Sequence, residues 1–389
     1  MSPTRLVAVA LGRPEAAAAV TAAWEDGEAV AVLDPTAPAA VRDAALGRLR
    51  PTDLLDGGGR RPWPDGLPVA DDVRSVVLTS GTTGGPKAVE LTEAGLAAVG
   101  RGCNEALGLR SDDCWLACLP LHHVAGLAIL ARAGVGGQGV VVHDGFDLAA
   151  VAAAPEREGA TLVSVVPTML GRLLDAHAPL HEYRRIVVGG APLPTALRGR
   201  AVSAGAPVVD AYGMSETGGG FVLDGWPIPG AAVALGADHE IRVRGAMVMR
   251  GYRLDPDATS AALDGEWLRT GDVGAWADDG ALLVVDRRRD LVITGGVNVS
   301  PTTVEHALVE HPAVADVCVT GAPDDEWGER VVAFVVPAPG VDPPSVDELR
   351  GFARSRLRGP ELPRQVVVVA EIPRTAGGKA QRARLTLPH

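Results

Sequence analysis

The stretch SVVLTSGTTGGPKAVELT, residues 75–92, decides the reading of the fold. Its first residues form an apolar, β-branched run, which is a strand signal. A loop of small hydroxyl and glycine residues follows. A helix then opens at Thr92, whose hydroxyl suits an N-cap, with acidic Glu93 in the first turn.

The same alternation continues downstream. CWLACLPL (114–121), GVVVHDG (139–145), TLVSVV (161–166), RIVVGGA (185–191) and APVVDAYG (206–213) are short apolar runs with Ala/Leu-rich helical segments between them. Strands alternating with helices imply an α/β domain with a largely parallel sheet. Upstream, LVAVAL (6–11) and AVAVLD (29–34) start the pattern, whereas DGGGRRPWPDGLP (56–68) reads as a loop. After about residue 230 the pattern changes: EIRVRG (240–245), GAWADDG (274–280) and ALLVVDRRRD (281–290) read as strands joined by tight turns. The last ~100 residues form another unit. Residues 299–337 give helix, strand, loop, strand, and SVDELRGFARSRL (345–357) is an amphipathic helix with acidic residues in its first turn.

Composition narrows the class. The 389 residues are 47% hydrophobic and 22% charged, as in a globular chain of two or three domains. Aromatics are only 4%, so Ala, Val and Leu must fill the core. No apolar stretch reaches the ~18 residues of a membrane span. The N-terminus lacks a basic n-region with a cleavage site, so a cytoplasmic location is expected. The net charge of −12 argues against nucleic acid as a partner. Four cysteines are too few for a disulfide framework. Cys114, Cys118 and His122 recur every four residues, but on a strand that period does not converge on one metal ion.

The loop Thr79, Ser80, Gly81, Thr82, Thr83, Gly84, Gly85, Pro86, Lys87 carries the strongest chemical signal. Such a loop turns backbone N–H groups and hydroxyls toward one anion, and Lys87 adds a point charge. It is not a Walker A loop, because Pro86 and Ala88 flank the lysine. A second cluster, Gly134 to Gly139, matches G-x-G-x-x-G formally. A strand-like run follows it where a dinucleotide site needs a helix, so it reads as a tight turn.

TSGTTGGPKAVELT resembles the phosphate-binding loop of the adenylate-forming superfamily of acyl-CoA ligases, peptide-synthetase adenylation domains and luciferases. Further matches follow in that family's order: LPLHHVAGL (119–127), Tyr212-Gly213-Met214-Ser215-Glu216-Thr217, Thr270-Gly271-Asp272, DRRRDLVITGGVNVSPTTVE (286–305) and PRTAGGKAQR (373–382). The resemblance covers the chain from about Val73 to its end. It implies ATP, Mg²⁺ and coenzyme A as cofactor and co-substrates. It also implies an α/β fold: a large N-terminal domain of mostly parallel sheets and helices with a β-rich subdomain (1–286), a hinge at 287–290 centred on Arg289, and a small mobile α+β C-terminal domain (291–389).

The roles it implies are these. Residues 79–84 and Lys87 hold the β- and γ-phosphates. Gly190, Ala191, Asp210, Ala211, Tyr212, Gly213 and Ser215 surround ATP or AMP. Asp272 and Arg287 bind the ribose hydroxyls. Glu216 binds Mg²⁺, a hard cation suited to carboxylate and phosphate oxygens. Lys379 bridges the reacting carboxylate and the α-phosphate. His123, Gly189, Gly190, Met214 and Ser215 line the acyl site, although His123 also reads as a satisfied core histidine. Two positions depart from the family pattern: Ala88 and Asp286 stand where it usually has glycine. The part before the loop is short.

The short N-terminus, LPLHHVAGL, TLVSVVPTMLGRLL, VVGGAPLP and YGMSETGGG followed by DGWPIPG most resemble the compact branch that acts on 2-succinylbenzoate in menaquinone synthesis. That acid is an aromatic dianion. Its second carboxylate needs a donor, or it would be an unpaired buried charge. His123, Ser215 and the backbone at Gly189–Ala191 are candidates, with Arg184 or Arg185 supplying positive potential. The implied partners are a small carboxylic acid, ATP and coenzyme A, with a homodimer as the admissible assembly. Rival readings are a ligase for another aryl or acyl acid, an adenylation enzyme that loads a carrier protein, and a degenerate ligase that only binds nucleotide.

Overall fold

The computed structural model describes residues 4–79, 86–287, 290–374 and 380–387. They divide into two compact units. One comprises Met1–Gly190, Arg200–Ala234 and Arg242–Arg269; the other comprises Ala191–Gly199, Leu235–Ile241 and Thr270–His389.

The first unit begins β1 (Leu6–Ala10), α1 (Arg13–Glu25), β2 (Ala29–Val32), α2 (Ala39–Leu49), β3 (Asp53–Asp56), β4 (Gly59–Pro62), β5 (Val73–Thr79), β6 (Lys87–Thr92) and α3 (Glu93–Leu107). β1 lies parallel to β2 on one side and β3 on the other, and β2 lies parallel to β5. Leu6, Ala8, Ala29 and Ala31 are buried, and such unbroken apolar runs are what parallel strands covered on both faces require. Helix α3 starts where the sequence places it, with Thr92 Oγ1 accepting the Gly95 N–H at 3.0 Å.

Residues 56–68 depart from the expected loop. Gly59–Pro62 folds back on β3, with Asp56 opposite Gly59 and Asp53 opposite Pro62. Arg61 donates to Asp56 at 2.7 Å and Arg60 to Glu28 at 2.7 Å. Charge pairing rather than apolar alternation specifies this strand. Pro62 is tolerated because β4 is at the sheet edge.

The second sheet is built from β7 (Cys114–Ala117), α4 (Val124–Gly136), β8 (Gly139–Val142), α5 (Leu148–Glu158), β9 (Leu162–Val165), α6 (Pro167–Asp175), β10 (Arg185–Gly189), α7 (Thr195–Ser203), β11 (Val208–Met214), β12 (Gly219–Leu223) and β13 (Trp226–Pro227). Its order is β13-β12-β11-β10-β9-β7-β8. Strands β8 to β11 and β7 are parallel, and β12 and β13 close the edge antiparallel. Of the run CWLACLPL only the first four residues are strand. The chain then turns at Pro120, which has no N–H to give a ladder. In the glycine cluster 134–139, Gly134 and Gly136 finish α4 and Gly137 caps it. From β7 the chain steps outward to β8, then crosses to β9 on the other side of β7. This makes a topological switch point at the carboxyl end of β7, where open α/β sheets bind ligands.

Next come β14 (Ala232–Leu235), β15 (Glu240–Arg244) and the two-residue β16 (Gly251–Tyr252), which returns to pair antiparallel with β6. Helix α8 (Pro256–Ala262), β17 (Leu263–Asp264) and β18 (Trp267–Trp276) follow.

In the second unit β18 pairs antiparallel with β19 (Leu282–Arg287). A further sheet then takes the order β21-β20-β23-β22, with β24 (Gln365–Val368) parallel to β23; its strands are β20 (Val292–Thr294), β21 (Val297–Val299), β22 (Val314–Asp324) and β23 (Gly328–Pro337). Helices α9 (Pro301–Leu308) and α10 (Val346–Ala353) cover it around Val304, Leu308, Val331 and Leu349. Ser345 and Glu348 cap α10 reciprocally, as the acidic first turn predicts. Among the described residues no helix is long and apolar enough to cross a membrane.

Candidate active site

The first unit brings Lys87 and Glu216, two residues expected on the phosphate side, to one tyrosine. Thr79 and Lys87 face each other at the base of the β5–β6 hairpin, and Thr79 Oγ1 donates to the Lys87 carbonyl at 3.4 Å. Ser80, Gly81, Thr82, Thr83 and Gly84 lie outside the described residues. Lys87 Nζ stands 4.5 Å from the centre of the Tyr252 ring. The Tyr252 hydroxyl donates to Glu216 Oε1 at 2.8 Å.

Glu216 follows the end of β11 in a short 3₁₀ turn, Ser215–Thr217. The turn is fixed from inside. Buried Thr217 donates its hydroxyl to the Gly219 carbonyl at 2.7 Å, and the Glu216 carbonyl accepts the Met249 N–H at 2.7 Å. Gly213 is required just before it, because a Cβ there would stand 2.1 Å from the Gly219 oxygen. Burial and the Glu216 carboxylate push the Tyr252 phenol well above its ordinary pKa, so it remains a donor. A single carboxylate held this way suits Mg²⁺, which takes one or two carboxylates and fills its shell with phosphate and water oxygens.

The residues expected to line the acid follow carboxyl ends of parallel strands in the second sheet. His122 and His123 follow β7, Gly190 follows β10, and Ser215 follows β11; Gly189 and Met214 are the last residues of their strands. Asp210 stands level with Val188 and Ala211 with Gly189, one step inside that edge. The Tyr212 ring packs on Phe221, centroids 5.0 Å apart. His123 occupies the N-cap position of α4 and is half-buried. Its ring lies 4.4 Å from that of His122. Burial first, then its neighbour His123, pushes His122 down from 6.5 to about 4, and burial lowers His123 as well.

Two residues of the N-terminal segment stand beside this pair. Arg13, at the start of α1, donates Nη1 to the Cys118 carbonyl at 2.8 Å. Asp34 accepts from the Thr36 N–H at 2.9 Å and its hydroxyl at 2.7 Å. Its charge favours protonation of both histidines, and that of Arg13 opposes it. Burial alone would raise Asp34, but the bonds from Thr36 and the histidine charges bring it below the ordinary carboxylate value.

Arg184 and Arg185, offered by the sequence as sources of positive potential, lie away from the carboxyl strand ends. They stand at the amino end of β10, opposite Gly189, and Arg184 is held by Asp113, with Nε to Oδ1 at 2.7 Å. Strand direction explains this: ligand-binding edges are carboxyl ends.

In the second unit Asp272 is buried, and its direct cross-strand partner is Arg287. The turn before it is specified residue by residue. Thr270 Oγ1 donates to the Ile241 carbonyl at 2.7 Å and accepts the Asp272 N–H at 3.1 Å. Gly271 has φ 71°, a left-handed conformation that disfavours any side chain. Ala191 also belongs to this unit. Asp286, where the family usually has glycine, accepts from Ser300 Oγ at 3.0 Å and the Thr302 N–H at 2.9 Å, and so caps the start of α9. Arg289 and Lys379 lie outside the described residues. Both flanks of segment 375–379 are anchored: Arg374 donates to Asp316 at 2.8 Å, Arg382 to Glu305 at 2.7 Å, and Arg374 bridges to Ala380.

Sequence reasoning missed Tyr252 and Arg13. Neither lies in a motif read for chemistry, and each acts across a long separation: 36 residues from Tyr252 to Glu216, and 105 from Arg13 to Cys118.

Comparison with known proteins identifies the family. The family model for AMP-binding enzymes matches residues 5–253, and that for the AMP-binding enzyme C-terminal domain matches residues 303–379. The 2-succinylbenzoate–CoA ligase of Bacillus cereus is 36% identical over 339 residues, spanning 81% of this chain and 70% of its own. The o-succinylbenzoate CoA synthetase of Bacillus subtilis, in complex with its acyl-adenylate intermediate, superposes with a TM-score of 0.88 at 29% identity, over 100% of this chain and 89% of that one. The same enzyme with ATP and magnesium ion gives 0.87 at 29% identity, over 99% and 90%.

Proposed function

The chain belongs to the family of AMP-binding enzymes, and from that premise we propose that it joins 2-succinylbenzoate to coenzyme A at the expense of ATP, a step of menaquinone synthesis. The observation that carries the chemistry is the meeting of Lys87 and Glu216 on Tyr252. It puts a cation and a carboxylate of opposite uses at the end of the β5–β6 hairpin. The likeness to the two Bacillus enzymes supports the choice of acid.

The reaction has two halves. The succinyl carboxylate attacks the α-phosphorus, an acyl–phosphate bond forms, and pyrophosphate leaves. The thiol of coenzyme A then attacks the acyl carbon, and AMP leaves with the bonding pair. Little of this is covalent work for the protein, and most is holding charge in place. Residues 79–84 and Lys87 hold the phosphates. Magnesium, bound through Glu216, supplies charge neutralisation on the phosphate oxygens. Gly190, Ala191 and Asp210–Ser215 surround the nucleotide, with Asp272 and Arg287 on the ribose. Lys379 draws the carboxylate and α-phosphate together. His123 with Gly189, Gly190, Met214 and Ser215 lines the acid. A hinge at Arg289 lets one small domain, 291–389, serve both half-reactions in turn. We place the enzyme in the cytoplasm, with a homodimer as its assembly.

The test is thioester formation with ATP, Mg²⁺, coenzyme A and a panel of acids. Strong preference for 2-succinylbenzoate is expected. Turnover confined to other acids keeps the mechanism and removes the pathway; no pyrophosphate release with any acid removes both.

A further inference from the structure

Tyr252 touches both groups on which the ligase reading depends, and no motif read in the sequence assigns it a task. Its backbone is braced on two sides. It pairs opposite Val89 on β6, two residues from Lys87, and its N–H donates to Thr259 Oγ1 at 2.8 Å. Its neighbour Arg253 is buried and donates to the Leu49 carbonyl at 2.6 Å and to Glu90 at 3.2 Å. The residue is 9% exposed. A tyrosine fixed this firmly presents a donor and an aromatic face at set positions.

We propose that Tyr252 is a positioning residue for adenylation: its hydroxyl orients the Glu216 carboxylate toward the metal, and its ring face fixes Lys87 at the start of β6. This rests on the ligase reading through the roles given to Glu216 and Lys87. A carboxylate offers about four lone-pair directions. The phenol occupies one, on Oε1, and thereby selects which remain for a cation. Outer partners of this kind carry about 10–100-fold in metal affinity. On the other side, a ring face within about 6 Å of an ammonium attracts it and so fixes its place. The two functions belong to different parts of one side chain, so they separate by substitution.

Mn²⁺ binding in the presence of ATP, followed by electron paramagnetic resonance, reads the first. Tyr252→Phe should weaken Mn²⁺ about tenfold. Acylation of Lys87 by a small amine-directed reagent, followed by mass spectrometry, reads the second. Tyr252→Leu should speed it about threefold, because the ammonium loses its aromatic cover, whereas Tyr252→Phe should leave it unchanged. Wild-type Mn²⁺ affinity in Tyr252→Phe, alongside a large loss in Glu216→Gln, overturns the orienting role and leaves Glu216 as the metal ligand. Wild-type affinity in Glu216→Gln removes the metal role of Glu216, and the inference falls with that part of the ligase reading. Unchanged Lys87 acylation in Tyr252→Leu overturns the second half.

Discussion

Two regions of the first unit, the one around Tyr252 proposed for the phosphates and the one around His122 proposed for the acid, handle charge in opposite ways. Around Tyr252 two side chains of opposite sign meet one ring: Lys87 rests on its face, and Glu216 takes its phenol bond. Around His122, charges are neutralised or occupied: both imidazoles are driven toward the neutral form, Asp34 is held by Thr36, and Arg13 is spent on a backbone carbonyl. On the proposed function the difference suits the two ligands. A triphosphate with its metal needs fixed charges to meet it. An organic acid is better met by neutral donors, since a buried charge without a partner is costly.

The hardest way to break this division is to remove the charge assigned to the junction of the two sides. Lys379→Ala should slow acyl-adenylate formation by about 10²–10³-fold, the scale of one lost transition-state donor. It should leave thioester formation from supplied acyl adenylate nearly intact. Equal loss in both halves, measured by pyrophosphate release and by thioester yield, would remove Lys379 from the chemistry.

Next in size is a test of the bracing behind the phosphate side. Arg253 is 3% exposed and donates to the carbonyls of Leu49, Pro68, Arg50 and Leu67 and to Glu90. Arg253→Leu strands Glu90 and these carbonyls and should cost about 3–5 kcal/mol, as breaking a buried pair does. Arg13→Leu on the acyl side removes one bond at a partly exposed site and should cost about 1 kcal/mol. Denaturant midpoints of the two variants check the order. A smaller loss for Arg253 than for Arg13 would mean that the bracing is not what separates the two sides.

A smaller effect is expected at His123. If it lines the acid, His123→Ala should raise KM for the acid about tenfold and leave KM for ATP unchanged, as loss of one hydrogen bond to a charged group does. Unchanged acid affinity would make it a core histidine.

Much of this contrast was legible in part. Unbroken apolar runs such as RIVVGG announced parallel strands, because only strands covered on both faces tolerate them. Thr92 and Ser345 announced their helices through side-chain bonds made within three residues. Lys87, Glu216 and Asp272 stood out because each lies in a compact motif. What stayed hidden depends on pairing between distant segments. Strand β4 exists through arginines meeting Asp56 and Glu28, and its glycines looked like a loop. Arg184 looked available until strand direction placed it at the wrong edge, beside Asp113. Asp286 looked like a local defect until Ser300 and Thr302 came back to it.

The finest test of the comparison is the protonation of His122. Its pKa lies near 4 rather than 6.5, chiefly through burial. A ring with that value refuses the proton that the unfolded chain accepts near 6.5. Stability at His122 is therefore undiminished above about 6.5, falls as pH drops through the interval down to about 4, and falls no further below it. Asp34, held below 3.8, loses its own contribution as pH falls below that value, so its window adjoins that of His122 on the acid side. In a histidine Cε1–H titration by NMR, the resonance assigned through His122→Gln should move with a midpoint near 4. Asp34→Asn should lower that midpoint, because a charge favouring the imidazolium is gone, and Arg13→Gln should raise it, because an opposing one is gone. A wild-type midpoint near 6.5 would put the ring in water, and the acyl side would then hold its charges as openly as the phosphate side does.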